Sequence, residues 1–289
     1  MNNTNTGTTG IVPFTYFLDA EKKAGSTFLR VDGLVANAPD FEYYQHGRRY
    51  DNLIFQKAYW AEYMELFEGP KILDCCDPDW INTNIDFVAL SNLVHAITCS
   101  SPELTDAVKR MLPGKMVFHV PDRLNFQLFP EEEKVHQGNA KKAVWFGFIH
   151  NAYETLPQLL PSIIKNELEL TIIADKPYSK DDGIKELGPA FIRYHQSTAY
   201  NHISNTDMVL NPRSDKAIYK YKSNNKSLIG WKFGLPVAVT NDDVDRFIYP
   251  DERNKEMRAK IKLVNAEYNI LQSAEQYRDI LSLIRTANF

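Results

Sequence analysis

The sequence predicts an α/β protein of two Rossmann-like domains facing each other across a cleft, and three observations carry that prediction. Short apolar runs alternate with helical stretches in two successive series, as strands buried on both faces of parallel sheets do. Between the series, residues 121–142 lose this periodicity. At 289 residues the chain is long enough for two domains that each bury a core.

Composition narrows the class. The 44% hydrophobic and 24% charged fractions are those of a soluble globular protein. A net charge of −4 gives no overall basic surface for non-specific nucleic-acid binding, while a local basic groove stays open. No apolar run approaches the ~20 residues of a membrane span. Residues 1–10 are polar, rich in Asn, Thr and Gly, and read as a flexible tail without a signal peptide's apolar core. The three cysteines, Cys75, Cys76 and Cys99, fit neither a disulfide framework nor a four-ligand zinc site, so a reducing, cytoplasmic compartment is expected.

The first series opens with a strand over residues 13–19, in which Phe14, Tyr16 and Leu18 alternate. A loop follows, and Ser26 caps a helix over residues 27–36. This strand–turn–helix unit places Asp19, Gly25, Ser26 and Arg30 at a cleft edge. Residues 43–50 are aromatic and basic and contain His46, Arg48 and Arg49. Residues 51–58 and 71–75 read as buried strands with a helix over 60–67 between them. The second strand runs into Asp74-Cys75-Cys76-Asp77-Pro78-Asp79-Trp80, whose carboxylates suit a metal or a general base. The bland reading is equally open: Asp77-Pro78 as turn chemistry and Asp79 as a helix cap. Helices over 86–92 and 102–111, the latter capped by Ser101, alternate with strands over 95–100 and 115–120.

The second series has strands over 144–148, 168–174, 191–195, 208–211 and 237–240. Helices are expected over 152–164, despite Pro157 and Pro161, and over 198–204, 243–249, 251–264 and 273–286. The most informative stretch is residues 220–240. Lys220, Lys222 and Lys226 interleave with Ser223, Asn224 and Asn225 before an apolar helix that Gly234 and Pro236 stop. A helix N-terminus with unpaired N–H groups attracts anions, Ser223 is placed to cap it, and the lysines add full charges. The pattern reads as a diphosphate cradle or as a solvated basic loop before a core helix.

These residues resemble the GT-B glycosyltransferases. Three features carry the resemblance: the loop and helix Gly25-Ser26-Thr27-Phe28-Leu29-Arg30, the strand and turn Val144-Trp145-Phe146-Gly147-Phe148-Ile149-His150-Asn151, and Asn225-Lys226 followed by Gly234-Leu235-Pro236-Val237. The resemblance implies an acceptor-side domain over residues 11–122, a linker over 123–142 and a donor domain over 143–265. A last helix over 266–289 can return to the first domain. It implies a nucleotide-diphosphate sugar, UDP-type, as donor, with no tightly bound cofactor and no metal. Lys226 and Lys222 then face the diphosphate with Asn225 and Ser223, Arg213 clamps a phosphate, Gly147 lets the diphosphate approach the backbone, and Asn151 donates to it. The nucleobase falls near Asp175-Lys176 and Tyr194-His195-Gln196. Asp19, His46, Asp77 and Asp79 are the candidate bases toward an acceptor hydroxyl. Many retaining members carry a glutamate five residues before the helix-ending glycine and a second one earlier. Here these positions are Ile229 and Tyr221.

P-loop, His-Glu-x-x-His and Gly-x-Ser-x-Gly motifs are absent from the sequence. Two other readings stay open. One is a glycosyltransferase acting on nucleic-acid bases, with Arg48, Arg49, Lys109, Arg110 and Lys115 on phosphates. The other is a non-catalytic nucleotide-binding module.

Overall fold

The computed structural model describes residues 7–16 and 25–287. The chain divides into two compact units, each built on one parallel sheet. Unit 1 comprises Met1–Phe126, Lys216–Ser223 and Tyr268–Phe289, and unit 2 comprises Gln127–Asp215 and Asn224–Glu267.

Unit 1 contains β1 (Thr9–Pro13), β2 (Phe41–Tyr43), β3 (Asn52–Gln56), β4 (Lys71–Cys75), β5 (Ala96–Cys99) and β6 (Met116–His119), in the order β2-β1-β3-β4-β5-β6. Period-two geometry sends adjacent apolar residues to opposite faces. Ile11, Ile54, Ile72 and Ala96 face one core, which the C-terminal helix Ile270–Thr286 covers with Tyr277 and Leu281. Val12, Phe55, Leu73 and Ile97 face the other, covered by Met64, Phe87, Leu104 and Val108. Both faces are dry, so these strands read as continuous apolar runs.

That rule also corrects the first strand. It spans Thr9–Pro13 and pairs with β3 over its full length, from Thr9↔Asn52 to Pro13↔Gln56. The alternation at Phe14 and Tyr16 marks instead a turn closed by Tyr16 N–H on the Pro13 carbonyl, and Phe14 is exposed. Thr9 and Gly10 are buried strand residues and not part of a tail. A Cβ at Gly10 would come 2.8 Å from the Tyr50 ring. β2, with Glu42 at its centre, was not predicted. Ser26 is no cap, because the helix already begins at Gly25 and the Ser26 hydroxyl accepts from Gln56.

Unit 2 contains β7 (Lys142–Gly147), β8 (Glu169–Ala174), β9 (Ala190–Arg193), β10 (Met208–Leu210) and β11 (Val237–Ala238), ordered β11-β10-β7-β8-β9. Trp145, Ile172, Leu210 and Ala238 form its core with Ile149, Leu156, Ile163 and Phe247. The prolines break the predicted long helix into Ile149–Thr155, a 3-10 turn Leu156–Leu159 and Leu160–Lys165, each proline near the start of a new piece. β11 is shorter than predicted because Thr240 caps the next helix, in a reciprocal box with Asp243.

Two domain expectations change. Residues 127–141 are not a bare linker but a strap fixed to unit 2. Within it His136 is buried and hydrogen-bonds the Gly234 carbonyl at 2.8 Å, and Lys134 donates to the Ser204 and Thr206 carbonyls. Irregular backbone satisfied by side chains leaves no periodicity to read. Lys216–Ser223, expected in the donor domain, belongs to unit 1, where the Tyr221 carbonyl accepts from Ser101 at 2.8 Å. Among the described residues no helix is long and apolar enough to cross a membrane.

Candidate functional site

In unit 2 the strand order reverses at β7. β8 and β9 extend the sheet to one side, β10 and β11 to the other. Ligands of open parallel sheets bind at such a switch point, outside the carboxyl ends of the strands. Here those ends are Gly147 on β7 and Asn211, which follows β10.

Gly147 has φ +143, and a Cβ there would meet Lys226 Nζ at 2.8 Å and Cε at 3.1 Å. Only glycine lets this lysine lie over the strand end. The Lys226 ammonium sits 4.1 Å from the Trp145 ring centroid and 5.9 Å from that of Phe146, a cation held on aromatic faces. Its helix, Asn225–Lys232, approaches the sheet closely because Gly230 has no side chain. A Cβ there would lie 3.0 Å from both Val209 and Val237. Asn211 donates to Ser227 at 3.2 Å, tying the end of β10 to the first turn. Arg213 donates to the Asn224 side-chain oxygen at 2.7 Å, which brings its guanidinium to the helix start. Gly234, at φ +72, ends the helix as expected.

Gly147, Arg213, Asn225 and Lys226 therefore converge on one switch point. Asp175 follows β8, and Asn151 lies on the helix Ile149–Thr155 that follows β7. Asp175 accepts from the Ile149 N–H at 2.8 Å, and so holds the turn after Gly147. Phe148 in that turn is exposed and stacks with His150, ring centroids 5.9 Å apart.

Lys222 and Ser223 belong to unit 1. The Lys222 ammonium lies 4.3 Å from the Tyr219 ring. Ser223 does not cap the helix. Asn224 is the N-cap residue, and the Ser223 hydroxyl donates to Asp122. Asp122 in turn pairs with Arg30 at 2.9 Å, and Arg30 grips Asp74 with two bonds of 2.8 and 2.6 Å. Arg30 lies on a π-helical stretch, Phe28–Asp32, closed by the Gly33 N–H on the Phe28 carbonyl. It also bonds the Val120 carbonyl and the Tyr277 hydroxyl. It is a buried structural cation, not the cleft-edge residue expected.

The acidic run after β4 splits accordingly. Asp74 is buried with Arg30 and Thr98, while Asp77 and Asp79 face Lys57 Nζ at 2.7 and 3.3 Å. Tyr59 donates to Asp79. Burial disfavours the Lys57 ammonium, but Asp77 and Asp79 outweigh it and hold its pKa above the ordinary lysine value. Lys57 has φ +51, an uncommon backbone for a side-chain-bearing residue. Sequence reading missed it by continuing the strand through 58. The one signal was a polar Gln-Lys pair closing an apolar run. Among the described residues no group of three or more His, Cys, Asp and Glu is arranged to hold a metal.

His46 is exposed on the turn after the edge strand β2, and Asp77 follows β4 three strands away in the sheet. Asp19 lies outside the described residues. The cysteines are unbridged and buried. Burial pushes the Cys99 thiol up to about 12 and holds Cys75 and Cys76 well above the usual thiol value, so none is a nucleophile near neutral pH.

Sequence comparison finds no matching protein-family model and no matching curated protein. Comparison of folds does find similar solved structures. Anabaena HepE, solved in complex with UDP-glucose, superposes with a TM-score of 0.69 at 10% identity, covering 96% of this chain and 99% of that one. AviGT4, a glycosyltransferase involved in avilamycin A biosynthesis, gives 0.57 at 11% identity, covering 96% and 98%. A mutant of S. aureus TarM, solved with fondaparinux, alpha-GlcNAc-glycerol and UDP, gives 0.58 at 9% identity. That match covers 80% of this chain and 55% of TarM, so the chain spans about half of TarM's length.

Proposed function

We propose that this chain, which has the GT-B fold, is a glycosyltransferase that binds a UDP-type sugar at the carboxyl edge of the unit 2 sheet and transfers the sugar to a hydroxyl acceptor without a metal. One observation carries the reading: Lys226 lies on Trp145 directly over Gly147, at the switch point, with Arg213 at the start of the same helix. In the transfer the bond between the anomeric carbon and the diphosphate oxygen breaks, and a bond to the acceptor oxygen forms. Negative charge grows on the departing diphosphate, where fixed cations stabilise it most. The acceptor's proton passes to a base. Asp77, a third exposed and fixed by Lys57, is one candidate, and His46 and Asp19 are the others. UDP-glucose in HepE and UDP in TarM support the choice of donor. Free, buried cysteines suit a reducing, cytoplasmic setting.

Calorimetry of UDP and UDP-sugars in the presence of a chelator tests the binding. Lys226→Ala is expected to weaken UDP about tenfold or more, the worth of one charge-assisted contact. An unchanged affinity refutes the site. A second reading, a binding module without transfer, is favoured by Ile229 and Tyr221. Ile229 is 7% exposed on the apolar side of the helix, and neither residue offers a carboxylate. Release of UDP from a UDP-sugar separates the two. The nucleic-acid reading gains no support from geometry. Arg48 and Arg49 follow β2, and Lys115 precedes β6, at opposite edges of the sheet. Arg48 is also paired with Glu42 at 2.7 Å.

A further inference from the structure

The opposite edge of the unit 1 sheet carries a second basic cluster. Lys71 begins β4, His95 directly precedes β5, and Lys115 directly precedes β6, so the parallel register brings all three to adjacent strand starts. They line an open cavity of about 330 Å³, which Asn92 and Gly114 border and no acidic side chain enters. Gly114 has φ +88, and a Cβ there would meet nothing within 4 Å, so the rim is wide.

The hydrogen bonding orients the three groups. Lys71 Nζ donates to the Met64 carbonyl at 2.6 Å, and Lys115 Nζ donates to the Val94 carbonyl. Each ammonium carries two further N–H donors. No carboxylate among the described residues pairs with either lysine. His95 Nδ1 accepts the Lys71 backbone N–H at 3.1 Å, which puts the proton of the neutral ring on Nε2. Burial, then the two lysine charges, lower the His95 pKa, so all three groups share one positive field.

We propose that this cavity binds a phosphate monoester of a small organic molecule. Two ammonium groups match a dianion in charge. The volume leaves room beyond the phosphate for an organic group of sugar size. The site shares no residue with the carboxyl edge of either sheet and does not depend on the transferase reading.

The test uses the full chain with inorganic phosphate and ribose 5-phosphate as probes and ribose as neutral control. Calorimetry is expected to show ribose 5-phosphate binding while ribose is silent. Lys71→Met or Lys115→Met should weaken the phosphate probe about tenfold, and Lys226→Ala should leave it unchanged. A second readout needs no variant. In the ¹H NMR titration of the wild-type protein, saturating ribose 5-phosphate should raise the His95 pKa toward or above the ordinary value of about 6.5, because the bound dianion offsets Lys71 and Lys115. No binding at millimolar probe overturns the proposal. So does binding lost with Lys226→Ala but kept in both lysine variants, or a His95 titration that the probe does not move.

Discussion

The carboxyl edges of the two parallel sheets are put to opposite electrostatic ends. At the unit 2 edge, an indole touches Lys226 and an amide oxygen touches Arg213. Both of these contacts are with neutral groups. At the unit 1 edge, cations meet carboxylates directly: Arg30 with Asp74 and Asp122, Lys57 with Asp77 and Asp79. Charge that is neutralised inside the protein stabilises or positions. Charge resting on π faces stays available to an incoming anion. The comparison predicts that substitutions at the unit 1 edge act on stability and those at the unit 2 edge on binding.

The largest effect should come from Arg30→Met. It strands Asp74 and Asp122, both buried, without their cation. Breaking a buried pair from one side costs about 3–5 kcal/mol. Urea denaturation of the full chain should show this loss, and UDP affinity at temperatures where the variant stays folded should be little changed. A loss near zero would mean that Arg30 is not what neutralises these acids, and the contrast between the edges would fall.

Gly147→Ala probes the other edge. The residue would need φ +143 and a Cβ within 2.8 Å of Lys226 Nζ. Backbone strain of this kind costs about 1–3 kcal/mol, and the flexible end of Lys226 must move off Trp145. The expected outcome is a UDP affinity at least about tenfold lower, by the worth of the displaced ammonium, with a smaller drop in stability than for Arg30→Met. Equal UDP binding with a full loss of stability would reverse the comparison.

The same contrast explains what the sequence disclosed. Apart from β2 and the true span of β1, the strands of both sheets were legible because dry strands are continuous apolar runs, and the helix at 225–232 because Gly234 and Pro236 punctuate it. Lys226 and Gly147 were legible as a pair because each sits beside a strand or helix end whose position is local. Arg30, Lys57 and Ser223 were not. Their partners lie 44, 20 and 101 residues away, and a buried ion pair leaves no periodicity. The strap at 127–141 failed for a related reason, since His136 and Lys134 bind backbone carbonyls, which look alike in every sequence.

The smallest effect, and the sharpest test of neutralisation, is the pH profile of Lys57→Met. Lys57 is mostly buried, but Asp77 is about a third exposed, so solvent screens part of the attraction and the expected loss is about 1 kcal/mol at neutral pH. The sign at high pH follows from linkage. The folded-state pKa of Lys57 is raised above its unfolded value of about 10.4. The pair's contribution is therefore fully present below pH ~10.4 and is lost as pH rises through the folded value. The stability difference between wild type and Lys57→Met, from chemical denaturation, should stay flat from about pH 6 to 9 and shrink above about pH 10.4. A difference that already fades near neutral pH would mean that the ammonium is not held by Asp77 and Asp79. The unit 1 edge would then carry open charge like its counterpart in unit 2.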